Sequence, residues 1–273
     1  MTDGWLINNL RAIRGRAYPR VIGAGREPSW IFFEIVLPLF TVAAYAYIYK
    51  FMDARAELIG YVVLGGAMTA FWLNVLWNMA SQFYWEKEIG NLQLYMIAPI
   101  SRMSVLAGMA LGGMFSTTLH AASTLLIGTL LFNITYQLVD PIMLILIFTT
   151  TLVALYGMGM MFASMYLLFG REAHHLSNLL TDPVYLVSGF YFPVNSLGTW
   201  AAAGASLIPV TLGLDAMRQL FFSDVSGDGF LPLNIELLIL VGLSILFLVL
   251  AKYSLSYMEY LGKTTGRLTL RWQ

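Results

Sequence analysis

The sequence predicts an all-α integral membrane protein with six transmembrane helices. An N-terminal interfacial amphipathic helix precedes them, and re-entrant helices come before the last span. Three observations carry this reading. First, long apolar segments recur along the 273 residues: Trp30–Tyr49, Leu58–Phe83, Val105–Phe132, Pro141–Phe169, Leu176–Phe192 and Phe230–Tyr253. A crossing helix needs about 20 apolar residues; five segments meet that length and the fifth in order, with 17, is short. Second, the chain is 59% hydrophobic and 11% charged, whereas soluble domains carry about 25% charged residues. Third, the basic residues are distributed unevenly. With the N-terminus inside and six alternating spans, the cytoplasmic segments hold Arg11, Arg14, Arg16, Arg20, Arg26, Lys87, Arg102, Arg171, Lys252, Lys263, Arg267 and Arg271. Lys50, Arg55 and Arg218 fall outside. This bias puts both termini in the cytoplasm. Helical spans in place of alternating strands exclude an outer-membrane barrel. With no cysteine there is no disulfide and no thiolate metal site.

The elements follow in order. Residues 1–28 hold five arginines and no apolar core, unlike a signal peptide. Leu6, Leu10, Ile13 and Ala17 recur at helical spacing beside Trp5, which reads as a short helix on the cytoplasmic leaflet, ending near Pro19. The plainer alternative is a frayed basic tail. Residues 29–255 form the six-span domain and 256–273 a cytoplasmic tail. Trp30 and Tyr45, Tyr47 and Tyr49 mark the two ends of span one as an aromatic belt. Span three carries Gly108 and Gly112 in a small-xxx-small pattern, which permits close helix contact. The external stretch 193–229 is apolar but interrupted by Pro193 and Pro209, so it reads as short helices dipping into the outer leaflet.

Polar residues inside the spans are the candidates for function. Asn74, Asn78 and Gln82 recur on one face of span two, with Phe71 one turn outward. In lipid such a face points inward, as an interhelical seam or as the wall of a substrate path. Glu34 and Asp182 are costly intramembrane carboxylates. Glu34 lies close enough to Trp30 to sit at the headgroup boundary, and Asp182 is placed to cap a turn broken by Pro183. Adjacent His174 and His175 point apart on a helix and make a poor metal site. His120 in span three has no evident carboxylate partner in the sequence.

The cytoplasmic stretch 84–104 is the most patterned. Glu86, Lys87 and Glu88 precede Gly90, and an amphipathic run with Leu92, Tyr95 and Met96 on one face ends at Pro99, before Arg102. This is a short helix across the end of the span, either resting on the membrane or docking a soluble partner. The run resembles the loop signature of the type-2 (ABC-2) exporter permeases of ABC transporters. So do Ser188–Val194, Trp200, Ile208-Pro209 and Ala216-Met217-Arg218, which resemble that family's fifth span and outer re-entrant helices. Gln93 departs from the pattern where an acidic residue is common.

The resemblance implies a permease dimer, of two copies or of paralogues, driven by two cytoplasmic ATP-binding-cassette ATPase subunits. ATP and Mg would bind the partner and no cofactor this chain. The implied coupling residues are Glu86, Lys87, Glu88, Gly90, Leu92, Tyr95, Pro99 and Arg102, and the implied substrates are drugs, lipids or lipid-linked glycans. A P-loop is lacking: Gly262-Lys263-Thr264 supplies its end, but Tyr257 stands where its first glycine belongs. The expected setting is a prokaryotic cytoplasmic (inner) membrane, with no nucleic-acid partner. The alternative is a gradient-driven secondary transporter, which needs more intramembrane ionisable groups than Glu34 and Asp182. An integral-membrane enzyme would need catalytic groups converging at one depth.

Overall fold

The structure is a computed structural model that describes residues 2–24, 26, 28–222 and 229–265. The side chains of Trp30, Arg171, Glu172 and His174 lie outside the described set, as do Arg267 and Arg271. The described residues are helical, without a strand. In order come α1 (Thr2–Ala24), α2 (Pro28–Phe51), α3 (Ala56–Leu73), a π-helical segment (Asn74–Met79), α4 (Gln82–Ile89), α5 (Asn91–Ile97) and α6 (Arg102–Phe132). Then follow α7 (Pro141–Val187), a 3₁₀ turn (Val194–Leu197), α8 (Thr199–Ala205), α9 (Pro209–Phe221) and α10 (Leu233–Thr264).

Five helical stretches are long and apolar enough to cross a membrane: Ile31–Phe51, Ala56–Ile89, Arg102–Phe132, Pro141–Leu167 and Leu233–Thr264. The protein is a multi-pass membrane protein. Ala56–Ile89 is the axis of the bundle, 72% buried where the others range from 11% to 50%. Its residues Phe71, Trp72, Val75, Leu76 and Met79 supply the centre of the core, with Tyr156 and Leu106 against them. Small residues permit this closeness: a methyl on Gly159 of α7 would touch Val75 and Met79 at 3.0–3.1 Å.

α7 accounts for two predicted passes. Its first limb runs along the axis toward the α4 end, with Tyr156 on Asn74 and Gly159 beside Val75. The later limb runs back beside the same helix, with Ser177 on the Leu76 carbonyl, Tyr185 at Thr69 and Phe190 against Gly65. Tyr166 and Ser177 hydroxyls meet at 2.6 Å, whereas 11 residues of straight helix would separate their backbones by about 16 Å. The chain therefore turns back between them while staying helical. Pro183 does not break this limb, which continues to Val187; Asp182 is exposed and lines an outer groove with Tyr45, Tyr185 and Tyr191, so the predicted capping role falls away.

α8 and α9 meet at 112°, the bend of a re-entrant loop or of a broken span. Asp140 caps α7 through the amides of Ile142 and Met143 at 2.9 and 3.1 Å, with Pro141 fixing the first turn. Arg218 on α9 is fully buried. Its guanidinium donates to the carbonyls of Gly189 (2.7 Å), Phe192 (3.2 Å), Tyr61 (3.0 Å) and Phe190 (2.9 Å). It also lies 4.8 Å over the Tyr61 ring. One residue read from the sequence as an external charge thus ties the re-entrant helix to the tops of α3 and α7.

α1 departs from expectation. It continues through Pro19 to Ala24, packed against α6 on both sides of the proline by Ala17 and Arg20 at Gly112. A methyl on Gly108 would lie 2.5 Å from the Ile13 carbonyl, and one on Gly112 2.9 Å from that of Ala17. The Gly108/Gly112 pattern therefore binds α1 backbone to backbone. Ile13 and Ala17 turn to the protein, while Trp5, Leu6 and Leu10 of the expected stripe are exposed.

Candidate functional site: a helical elbow beside an interhelical cavity

The loop 84–104 folds as two short helices at an angle. Gly90 ends α4 at φ +90°, with its amide on the Lys87 carbonyl, and α5 starts at the next residue. A side chain at that φ is strained, so glycine sets the corner. α5 stops at Ala98, just before Pro99. This elbow is braced from inside the chain. Glu86 is 4% exposed and pairs with Arg16 of α1. It also accepts from Gln82 Nε2 (3.2 Å) and from the Tyr95 hydroxyl (3.1 Å). Arg16 stacks 5.4 Å from the Tyr95 ring. Burial, with Glu86 accepting the proton of the hydroxyl, pushes the Tyr95 phenol up to about 12. Asn9 of α1 accepts from the Ser101 amide (2.7 Å) and the Ser104 hydroxyl (2.9 Å), satisfying donors at the start of α6.

The predicted coupling residues therefore separate into two sets. Glu86, Leu92, Tyr95 and Arg102 face the protein: Leu92 is buried, and Arg102 forms a two-pronged pair with Glu259 of α10. Glu88 and Pro99 are exposed. The apolar face turned outward is not Leu92, Tyr95 and Met96 but Ile89, Leu94 and Ile97, of which Ile97 is 81% exposed. The positive φ at Gly90 rotates α5 about its axis relative to a continuous helix, and a straight helical projection misses that rotation.

The polar stripe of span two is divided in the same way. The π-helical segment carries a wider turn than an α-helix, so residues before and after it no longer share one face. Phe71 is buried and stacks edge-on to Phe148 at 5.7 Å. Gln82 lies below, bonded to Arg20 of α1. Arg20 also donates to the Met109 carbonyl at 3.2 Å, and burial lowers its pKa. Between these ends, Asn74 and Asn78 line an open-sided cavity of about 610 Å³ between α2, span two and α6. Asn74 accepts from the Tyr156 hydroxyl at 2.9 Å. Val75 and Leu76, which the α-helical projection turns toward lipid, are fully buried in the core.

The same cavity holds a pair that the sequence could not join. Glu34 Oε2 and His120 Nδ1 stand 2.5 Å apart. His120 lies 12 residues before the end of α6 at Phe132, and Glu34 is the fourth residue of the apolar stretch Ile31–Phe51. No spacing rule relates positions 34 and 120; the only signal available was that each is expensive alone. No group of three or more metal-ligating side chains occurs among the described residues.

A family model described as ABC-2 type transporter matches residues 20–222. That match spans the cavity, the elbow and the re-entrant helices. No curated protein matches the chain.

Proposed function

The chain belongs to the ABC-2 type transporter family, and from that membership we propose that it is the transmembrane subunit of an ATP-driven exporter. In this reading two copies, or one copy and a paralogue, sit in a prokaryotic cytoplasmic membrane with both termini inside. Two ATP-binding-cassette subunits bind ATP and Mg and press on the elbow. The substrate is hydrophobic or amphiphilic, and Asn74 and Asn78 belong to its path.

The observation that carries this reading is the elbow itself. Ile89, Leu94 and Ile97 expose apolar surface at the cytoplasmic end, where a soluble partner can cover it. Behind them, Glu86, Arg16, Tyr95 and Gln82 form a braced network. A force applied outside is therefore handed to α1 and to span two together, rather than absorbed by a loose loop.

The test is co-expression with a candidate ATP-binding-cassette ATPase subunit. The subunits should co-purify, a cysteine at Ile97 should cross-link to the ATPase, and Gly90→Val should lower substrate-stimulated hydrolysis while leaving membrane insertion intact. Hydrolysis by the isolated chain, or unimpaired transport by Gly90→Val, would remove the basis for the proposal.

A further inference from the structure

A carboxylate in lipid is costly unless something neutralises it. Glu34 is held by His120 at 2.5 Å, on the wall of a cavity large enough for a ligand of moderate size. Packing alone does not need this arrangement, since an apolar pair of the same volume would close the gap between α2 and α6 without that cost. The rest of the wall narrows the ligand class. Trp77 and Phe33 contribute aromatic side chains to the same lining as Glu34, Asn78 an amide, and the remaining lining is mostly aliphatic. A carboxylate and aromatic rings in one cavity wall are the chemistry that recognises an ammonium group: charge pairing supplies one attraction and the ring quadrupole the other. Arg20 borders one end of the cavity without entering its lining; its guanidinium is engaged by Gln82 and by the carbonyls of Met109 and, at 3.4 Å, Asn78.

We propose that this cavity binds the ammonium head of a cationic amphiphile, with His120 as an internal stand-in that occupies Glu34 until the ligand arrives. This rests on the exporter reading and names its substrate class. In the empty site the imidazole satisfies the carboxylate. When the ligand enters from the bilayer side, its ammonium takes the carboxylate, Trp77 covers the cation, and the apolar body lies along Leu37 and Leu73. The two members of the pair then have opposite roles: Glu34 binds the ligand, and His120 competes with it.

The experiment uses the purified full chain in phosphatidylcholine nanodiscs and three dansyl probes with the same alkyl body. One ends in a primary ammonium, one is its N-acetylated neutral counterpart, and one ends in a carboxylate. Energy transfer from tryptophan to dansyl reads binding. The ammonium probe should bind about tenfold or more tightly than the other two. Glu34→Gln, which keeps the shape and a hydrogen bond to His120, should abolish that preference. His120→Gln should strengthen ammonium binding, because it removes the competitor. A pair serving only to hold α2 on α6 would give the same sign for both variants, and that result overturns the proposal. So does a preference for the neutral or the carboxylate probe. Failure of the exporter reading shows separately: the chain reconstituted with its ATPase would then move none of the three probes.

Discussion

Replacing Arg218 by Met keeps most of the volume and removes every donor. Three of the carbonyls it serves, those of Gly189, Phe190 and Tyr61, are bonded in fully buried surroundings. Each buried acceptor left unmatched costs about 1–3 kcal/mol. Losing the buried charge returns part of this, since desolvating a guanidinium is itself unfavourable. The Tyr61 carbonyl keeps its bond within α3, so the low end for two acceptors gives about 2 kcal/mol. For a chain of this size that corresponds to roughly 4–8 °C in melting temperature. Thermal unfolding in detergent, followed by tryptophan fluorescence, measures it. Arg218→Lys keeps the charge but lacks the planar fork that reaches carbonyls on two elements at once, so it should fall between parent and Met. The damage should be local, with cysteines at 190–192 gaining reactivity before the cytoplasmic end does. If Arg218→Met melts within about 1 °C of the parent, the four hydrogen bonds do not hold the outer end, and the reasoning is refuted.

Three further outcomes are expected. Gly108→Leu and Gly112→Leu should force α1 off α6 at an overpacking cost of about 1–3 kcal/mol, read as lost disulfide formation between cysteines placed at Asn9 and Ser104. Arg16→Gln and Glu86→Gln should each destabilise by about 1–3 kcal/mol, and the double variant should show a coupling of about 1 kcal/mol or more; strict additivity would mean the two charges act independently. In this cysteine-free chain, cysteines at Trp77 and Asn78 should react with water-soluble thiol reagents. Those at Phe71, Val75 and Leu76 should stay silent, since these positions are 0–1% exposed; equal labelling of both sets would mean that the cavity is not hydrated.

The spans were legible because the hydrocarbon core imposes a length that composition reveals directly. The elbow was legible because glycine and proline punctuate the backbone locally, at Gly90 and Pro99. Legibility ended where a residue's meaning depends on a distant partner. Arg218 read as an outside charge, yet its acceptors lie on α3 and after α7. Arg16 and Arg20 counted toward a positive-inside bias but are braces for Glu86 and Gln82. Glu34 and His120 are 86 positions apart, and periodicity speaks only to neighbours. The division of the polar stripe had a different origin. A helical projection assumes 3.6 residues per turn throughout, and the π-helical segment at Asn74–Met79 does not obey it.

That segment also gives the central helix a reserve of register. A π-helical turn contains one residue more than the α-helix around it. Passing the surplus residue on toward either end would turn the intervening stretch by about 100° and slide it by about 1.5 Å. Glu86 is only eight residues below Asn78, about 12 Å of helix. Such a shift would swing Asn74 and Asn78 in or out of the cavity while Val75 and Leu76 exchange places with them, so that rotation of this stretch would change the polarity of the wall without tilting the helix.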